Sequence, residues 1–200
     1  EGSIDNNRNF GCFINTQGEG TSGSPYLIKT AADLAKLAEL VNEGNTAYND
    51  KHYRLENNLD LSAYGQNYDS GKGWTPIGAY SADSSKAFKG NFDGNSHVIS
   101  GLYINRSSEH QGLFGYIYGG TVINLGLTDV NISGTGSVGG VAGRVDNSSK
   151  IQNSYSTGSV RGTANNVGGM AGLVNNSSTI QNCYGTGSVS GTGDKVGGVA

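Results

Sequence analysis

The chain contains Val138-Gly139-Gly140-Val141-Ala142-Gly143, and this stretch decides the fold because it returns at a fixed interval. Further copies begin at Val167 and Val196, so that successive copies start 29 residues apart. A fixed period of this length is typical of a solenoid, in which no unit can bury its apolar face until its neighbours stack on it. The repeat therefore predicts an all-β coil of stacked units.

Three columns of residues recur at the same 29-residue spacing. In a parallel β-coil, equivalent positions stack about 4.8 Å apart, so each column predicts a ladder. Stacked asparagines can hydrogen-bond amide to amide, and Asn also tolerates the left-handed conformation that a tight bend needs. The predicted ladder residues are the aliphatic Val122, Ile151 and Ile180, the asparagines Asn124, Asn153 and Asn182, and the threonines Thr128, Thr157 and Thr186.

Composition divides the chain into three segments. Residues 1–24 are rich in Gly, Asn and Ser, which predicts loop around a short strand at 10–14. Residues 25–50 carry a helix, and residues 51–200 read as β-coil, with full repeats at 138–166 and 167–195 and a third copy cut short at residue 200. Within the coil, 62–73 and 81–86 are predicted surface loops.

An amphipathic helix is predicted over 31–43. Thr30 is a good N-cap, Asp33 follows at the capping-box position, and Gly44 is expected to end the helix as its C-cap. Such a helix, placed ahead of a β-coil, is expected to cap the open end of the core, since an uncapped coil exposes its interior and an unpaired strand edge. Its apolar face is formed by Leu34, Leu37, Ala38 and Val41.

The composition excludes several classes of partner. Thirteen basic residues against sixteen acidic ones give a net charge of −3 and no cationic face, which argues against nucleic acid and anionic membranes. No apolar run approaches the roughly 18–20 residues that would insert in a bilayer. Cys183 takes the position of Ser154 in the preceding repeat, so a small buried side chain is expected there rather than a disulfide with Cys12.

The repeat also resembles a known family. Val-Gly-Gly-Val-Ala-Gly, then Ile-Gln-Asn-Cys-Tyr (180–184) and Thr-Gly-Ser-Val-Ser-Gly (186–191), resembles the GLUG motif of bacterial surface proteins. Residues 18–44 resemble the opening of such proteins, and residues 88–105 resemble a segment that commonly follows it. The resemblance implies a right-handed parallel β-helix with an N-terminal capping α-helix, in a secreted or surface-exposed, adhesin-like protein. It carries over no catalytic residues.

No motif for metal or cofactor chemistry is present in the sequence. The three histidines are scattered, no His-Glu-x-x-His occurs, and no helix follows the Gly-rich strings, so no metal, cofactor or catalytic residue is predicted. One enzymatic alternative is a polysaccharide lyase or glycosidase, which needs acids and bases that converge on a groove. Its candidate residues are Asp60, Asp93 and Asp129, with Lys89 and Arg106.

Tyrosines on the predicted loops offer the best candidate binding residues. Tyr64, Tyr68 and Tyr80 fall between the early coils, and an exposed tyrosine gives a sugar ring a flat apolar face with a polar tip. The sequence thus predicts a non-catalytic module that binds extracellular glycans or a host or matrix protein. A passive spacer attached to a peptidase is the other alternative, and the last coil is a candidate for self-association. With Glu1 first and a repeat interrupted at Ala200, a piece of a longer extracellular protein is expected.

Overall fold

The computed structural model describes residues 18–200, and over that range the chain forms one α-helix, α1 (Ala31–Asn42), two short 3-10 turns (Ser62–Tyr64 and Asp69–Gly71) and a series of strands. The strands are β1 (Tyr26–Ile28), β2 (His52–Leu55), β3 (Leu59–Asp60), β4 (Asn91–Asp93), β5 (Val98–Ser100), β6 (Tyr103–Asn105), β7 (Phe114–Tyr118), β8 (Thr121–Ile123), β9 (Gly126–Gly134), β10 (Val138–Gly139), β11 (Ala142–Asp146), β12 (Lys150–Gln152), β13 (Tyr155–Gly162), β14 (Val167–Gly168), β15 (Ala171–Val174), β16 (Thr179–Gln181), β17 (Tyr184–Gly191) and β18 (Val196–Gly197). The predicted strand at 10–14 and Cys12 lie outside the described residues.

The strands form parallel sheets in which neighbours come from successive turns of the chain. One sheet has the order β1-β2-β4-β8-β12-β16, and a second runs β3-β5-β9-β13-β17 with β6 also paired to β9. Two shorter sheets run β7-β11-β15 and β10-β14-β18. The chain therefore returns to each sheet once per turn, and the predicted mostly-β architecture with parallel sheets is confirmed.

The aliphatic column runs through the last three strands of the first sheet, β8, β12 and β16. Ile151 pairs with Val122 on one side and with Ile180 on the other. Ile151 and Val122 are fully buried, and Ile180 packs against the same apolar cluster. Each turn thus contributes an inward side chain to a narrow core that continues through the coil.

The asparagine column forms a chain of amide hydrogen bonds. Asn182 Nδ2 donates to Asn153 Oδ1 (3.1 Å), and Asn153 Nδ2 donates to Asn124 Oδ1 (3.4 Å). Asn124 Nδ2 in turn donates to Asp93 Oδ1 (3.0 Å), so that a carboxylate, which only accepts, ends the chain. All three asparagines have φ between +50° and +54°, in the left-handed region that Asn tolerates better than most residues.

The threonine column is interrupted, and the predicted ladder is wrong at Thr128. Thr157 pairs with Thr186, but Thr128 and Asp129 together lie opposite Thr157 as a bulge, with Asp129 at φ +54°. Thr128 pairs instead with Ser100 on the other side. The turn after the bulge is one residue shorter, 135–137 against 163–166, so the 29-residue offset returns where Val138 pairs with Val167.

Glycines of the repeated motif allow successive turns to approach each other. A Cβ on Gly140 would lie 2.6 Å from the carbonyl oxygen of Gly169 in the next turn and would also collide with Ser156 Oγ. A Cβ on Gly143 would meet the backbone of His110. No larger residue fits at these positions without moving the backbone of a neighbouring turn.

Helix α1 begins as predicted, with Thr30 as its N-cap. Thr30 Oγ1 accepts a hydrogen bond from Asp33 N (3.1 Å), and Asp33 Oδ2 accepts one from Thr30 N (2.9 Å), which completes a capping box. The helix ends at Asn42 with Glu43 as its C-cap, so the expectation that Gly44 is the C-cap is wrong by one residue, although Gly44 follows at φ +76°. Its apolar face belongs to the same core cluster as Ile28. The helix residues of that cluster are Leu34, Leu37, Ala38, Leu40 and Val41.

Cys183 is half-buried beside the aliphatic column. Its Sγ lies 3.1 Å from the carbonyl oxygen of Gln181, and burial raises the pKa of its thiol. In the preceding turn, Ser154 Oγ donates to Gln152 O (2.8 Å) and accepts from Leu125 N (3.1 Å). The two small side chains therefore satisfy equivalent backbone carbonyls.

We expect Gly140→Ala to destabilise the fold by about 1–3 kcal/mol, because its Cβ must displace backbone of the next turn. Gly23→Ala is the control, since a Cβ at Gly23 meets nothing within 4 Å. Urea unfolding followed by circular dichroism measures both free energies of unfolding. Equal stability of the two variants would show that the turns separate at little cost.

Two substitutions at Asn153 separate its hydrogen bonds from its backbone conformation. Asn153→Gly keeps the positive φ and removes the amide bonds, at a cost of about 0.5–1.5 kcal/mol. Asn153→Ala adds the strain of a left-handed residue, a further cost of about 1 kcal/mol. Unfolding midpoints in urea measure both variants, and an alanine variant as stable as the glycine variant would contradict the conformational contribution.

Candidate functional site

An open groove lies between α1 and residues 62–75, which we call the aromatic loop. Its volume is ≈ 640 Å³, within the range of about 300–1,000 Å³ that small-ligand pockets occupy. The lining residues on the helix are Ala32, Ala35, Lys36, Ala38, Glu39, Asn42 and Glu43, and those on the aromatic loop are Tyr64, Tyr68, Trp74 and Thr75.

The helix wall follows from the amphipathic sequence of α1. While its leucines enter the core, its other face presents two small residues, Ala32 and Ala35, that leave the groove open. Lys36 Nζ forms an ion pair with Glu39 Oε1 (2.8 Å), at the i,i+3 spacing that brings side chains together on a helix. Glu43 follows at the helix end and is exposed.

The aromatic wall is a stack of three rings that runs from the core to solvent. Trp74 is fully buried, and its Nε1 donates to Leu113 O (3.3 Å). Tyr64 packs edge-on against Trp74, with 5.4 Å between ring centroids, and against Tyr68 at 4.9 Å. Burial, and to a smaller extent the neighbouring Tyr68 and Asp33, raises the pKa of the Tyr64 hydroxyl. Tyr68 is 42% exposed and is the ring that a ligand in the groove would meet.

Arg106 fixes the aromatic loop to the coil. Its Nη2 lies 2.7 Å from Asp69 Oδ2 and also donates to the carbonyl oxygen of Gly73 and the hydroxyl of Thr75, both at 3.1 Å. Its Nε donates to the carbonyl oxygen of Trp74 (3.1 Å). One guanidinium thus binds four points of the loop in the fixed geometry that only Arg provides.

Tyr80 does not belong to this groove. Its ring stacks on His110, with 5.2 Å between centroids and planes only 10° apart, and the Arg144 guanidinium lies 5.1 Å from the ring centre. Tyr116, which is nearly fully buried, packs against it as well. Burial, and to a smaller extent Arg144, lowers the pKa of His110, against a raising effect of Glu109. Tyr80 is therefore engaged in holding its own loop to the coil, although 53% of it is exposed.

Two of the three predicted tyrosines, Tyr64 and Tyr68, thus line one groove, whereas the other lining residues of that groove were not predicted. Two features of the sequence could have indicated these lining residues: Trp74, which is the only tryptophan of the chain, and the polar face of the predicted helix. From the sequence, Arg106 is a candidate only as a partner of catalytic acids. Nothing in the 29-residue pattern indicates that α1 and the aromatic loop meet.

The structure does not bring the acids of the enzymatic alternative to one place. Asp60 and Asp129 belong to the second sheet, where Asp60 accepts from the backbone N of Ser62 (2.8 Å). Asp93 belongs to the first sheet and ends the asparagine chain, and Arg106 is bound to Asp69 instead. Within residues 18–200, no three His, Cys, Asp or Glu side chains cluster closely enough to hold a metal ion. The described helix is not long and apolar enough to cross a membrane.

Comparisons with known proteins support the sequence resemblance. Residues 134–161 match the family model of the GLUG motif. A protein of Evansella cellulosilytica, provisionally named a Gly-rich membrane protein, is 42% identical over 113 residues, which are 56% of this chain and 12% of that protein. Halomucin of Haloquadratum walsbyi is 37% identical over 148 residues, which are 72% of this chain and 2% of that protein. The chain therefore spans a small part of these relatives.

A solved structure shares the fold. It is a protein of Bacteroides ovatus, provisionally named an immunoglobulin A1 protease, and its crystal structure superposes with a TM-score of 0.59. The match covers 88% of this chain and 61% of that chain at 22% sequence identity. At this identity the likeness concerns the fold. The chain thus carries a GLUG motif on a fold seen before.

Because Trp74 is the only tryptophan, its fluorescence reports directly on the aromatic loop. We expect Arg106→Ala to shift the emission of Trp74 to longer wavelength and to increase its quenching by acrylamide, because four contacts of the loop are lost. Arg106→Lys is expected to give an emission wavelength and a quenching between those of Arg106→Ala and the parent, since an ammonium cannot reproduce the planar, multidentate hydrogen bonding of a guanidinium. Arg161→Ala, an exposed position on β13, is the control. An unchanged spectrum in Arg106→Ala would contradict the positioning role.

Proposed function

We propose that this chain is a non-catalytic module of a secreted or surface-exposed, adhesin-like protein, and that it binds extracellular glycans in the groove between α1 and the aromatic loop. The GLUG motif and the relatives, one named a membrane protein and one a halomucin, support a surface location. The observation that carries the proposal is the exposed Tyr68 ring, backed by Tyr64 and the buried Trp74 at the wall of an open groove.

Sugars suit this groove because it combines a flat apolar surface with polar side chains. A pyranose ring can stack on Tyr68, while its hydroxyls meet Glu39, Asn42 and Thr75 across the opening. Tyr68 is supported from behind by Tyr64, which reduces the conformational entropy that binding would otherwise cost. An open groove also admits an internal segment of a polymer as well as its end.

The scaffold has a separate task in this proposal. We expect the coil to be right-handed, as parallel crossover connections are, and α1 to cap its first turns. Arg106 holds the aromatic loop to the coil, so that the module would hold its ligand without rearrangement. The helix thus protects the core with one face and forms the binding wall with the other.

A passive spacer is the second candidate function. The observation in its favour is the long parallel pairing of β9, β13 and β17, which extends the coil on both sides of the bulge at Asp129. Contact with a protein, or pairing of the edge strands β16, β17 and β18 with another chain, would fit this candidate as well. It predicts that no glycan binds.

A glycan array that includes mucin sugars and acidic polysaccharides tests the proposal. We expect saturable binding that Tyr68→Ala weakens by about 10-fold, corresponding to loss of one well-placed aromatic contact. Tyr64→Ala should weaken it too, because Tyr68 loses its support. Tyr80→Ala and Tyr184→Ala remove tyrosines of equal exposure (53% each) outside the groove and should bind like the parent. Silence of the parent protein across the array would contradict glycan binding and favour the spacer.

A further inference from the structure

The charges of the groove point to a more specific ligand. We propose that the groove selects a cationic amino sugar, such as a de-N-acetylated hexosamine polymer, over neutral and acidic sugars, and that Glu43 determines this selection. The inference rests on the proposed function, since it concerns the ligand class of the same groove.

The groove lining carries an excess of negative charge. Its one cation, Lys36, is held by Glu39 at 2.8 Å, which leaves Glu43 as the remaining charged group of the lining. Among the described residues, Glu43 forms no ion pair. A uronic or sialic acid would therefore meet an uncompensated carboxylate and no available cation, whereas an ammonium group would gain a partner.

The position of Glu43 increases this effect. It is the C-cap of α1, where the helix dipole places about half a negative charge, and the last turn of the helix contains no basic residue. Natural helices usually place Lys, Arg or His at this end. Here the Glu43 carboxylate lies at the negative end of the helix dipole. The carboxylate and the dipole would therefore attract a cation to the same end of the groove.

Asn42 adds a hydrogen-bond acceptor next to this carboxylate. Its Nδ2 donates to the carbonyl oxygen of Pro76 (3.0 Å), which fixes the amide and identifies Oδ1 as the free end. Oδ1 is buried and accepts no hydrogen bond from the described residues. Since Oδ1 exposes less than 1 Å², and since an ammonium and an acetamide N–H could both donate to such an acceptor, the discrimination between the two sugars rests on Glu43.

The aromatic wall suits the same ligand. An ammonium or its polarised neighbouring C–H groups are attracted to the face of a tyrosine ring as well as to the carboxylate. Tyr68 offers that face with 42% of its surface exposed. A neutral pyranose would still stack on the ring but would lose the attraction between the ammonium group and the Glu43 carboxylate. The groove should therefore prefer the amino sugar to its N-acetylated form.

Calorimetric titration with three oligosaccharides of equal length tests the inference: a glucosamine oligomer, its fully N-acetylated counterpart and a glucuronate-containing oligomer. At low salt and about pH 6, where ammonium and carboxylate groups are both charged, we expect the glucosamine oligomer to bind about 10-fold tighter than the acetylated one. The difference should shrink at high salt, because the charges are exposed to solvent. The glucuronate oligomer should bind weakest.

Glu43→Gln should remove most of that preference, with a loss of about 5- to 10-fold for the glucosamine oligomer and little change for the acetylated oligomer. Glu109→Gln removes an equal charge from an exposed position outside the groove and should leave all three affinities unchanged.

The outcomes separate this inference from the proposed function. If the acetylated or glucuronate oligomer binds as tightly as the glucosamine oligomer and Tyr68→Ala weakens them all, the cationic preference is overturned and glycan binding stands. If Glu43→Gln and Glu109→Gln weaken glucosamine binding equally, net charge and not the groove is responsible, and the inference is overturned. If none of the three oligosaccharides binds, the cationic preference is overturned, whereas glycan binding as such is overturned only by silence across the array.

Discussion

Backbone hydrogen bonds between successive turns hold this molecule together, and they require the turns to lie in close register. Val141 N donates to Met170 O (2.8 Å), and Phe114 N donates to Val141 O (2.9 Å), so that the same position is linked across three turns. The core inside the coil is narrow, and one turn alone could not bury it. Glycine at positions such as Gly140 is the consequence, since any side chain there would separate the turns that these bonds connect.

The candidate site exists because the early turns depart from that regularity. Between β3 and β4 the chain leaves the coil, and the aromatic loop returns to it where Trp74 N donates to Tyr103 O (2.8 Å). A loop that projects from a rigid ladder can present rings to solvent without a cost to the core, provided that it is fixed at several points. Arg106 supplies that fixation from the strand side, which is why a residue outside the groove matters for its shape.

The sequence predicted what depends on period and much less of what depends on contact between distant segments. The asparagine and aliphatic columns follow from the 29-residue spacing, and the start of α1 follows from Thr30 and Asp33. The bulge at Asp129 escaped prediction because a shorter turn restores the period a few residues later, so the spacing of the motif conceals it. Tyr80 and Tyr68 looked alike in sequence, yet one packs on His110 and the other faces the groove, a difference that loop composition does not contain.

If the proposed ligand binds, helix α1 would link the stability of the coil to the occupancy of the groove. Its leucines are part of the core, while Glu43 and Asn42 place an uncompensated charge and an unsatisfied acceptor at its end. Both features disfavour the folded helix in the absence of a partner. Because a ligand that binds only the folded state stabilises it, a cation in the groove would strengthen the element that covers the core. The carboxylate of Glu43, which is unfavourable for the folded helix on its own, is thus the group that a positively charged ligand would satisfy.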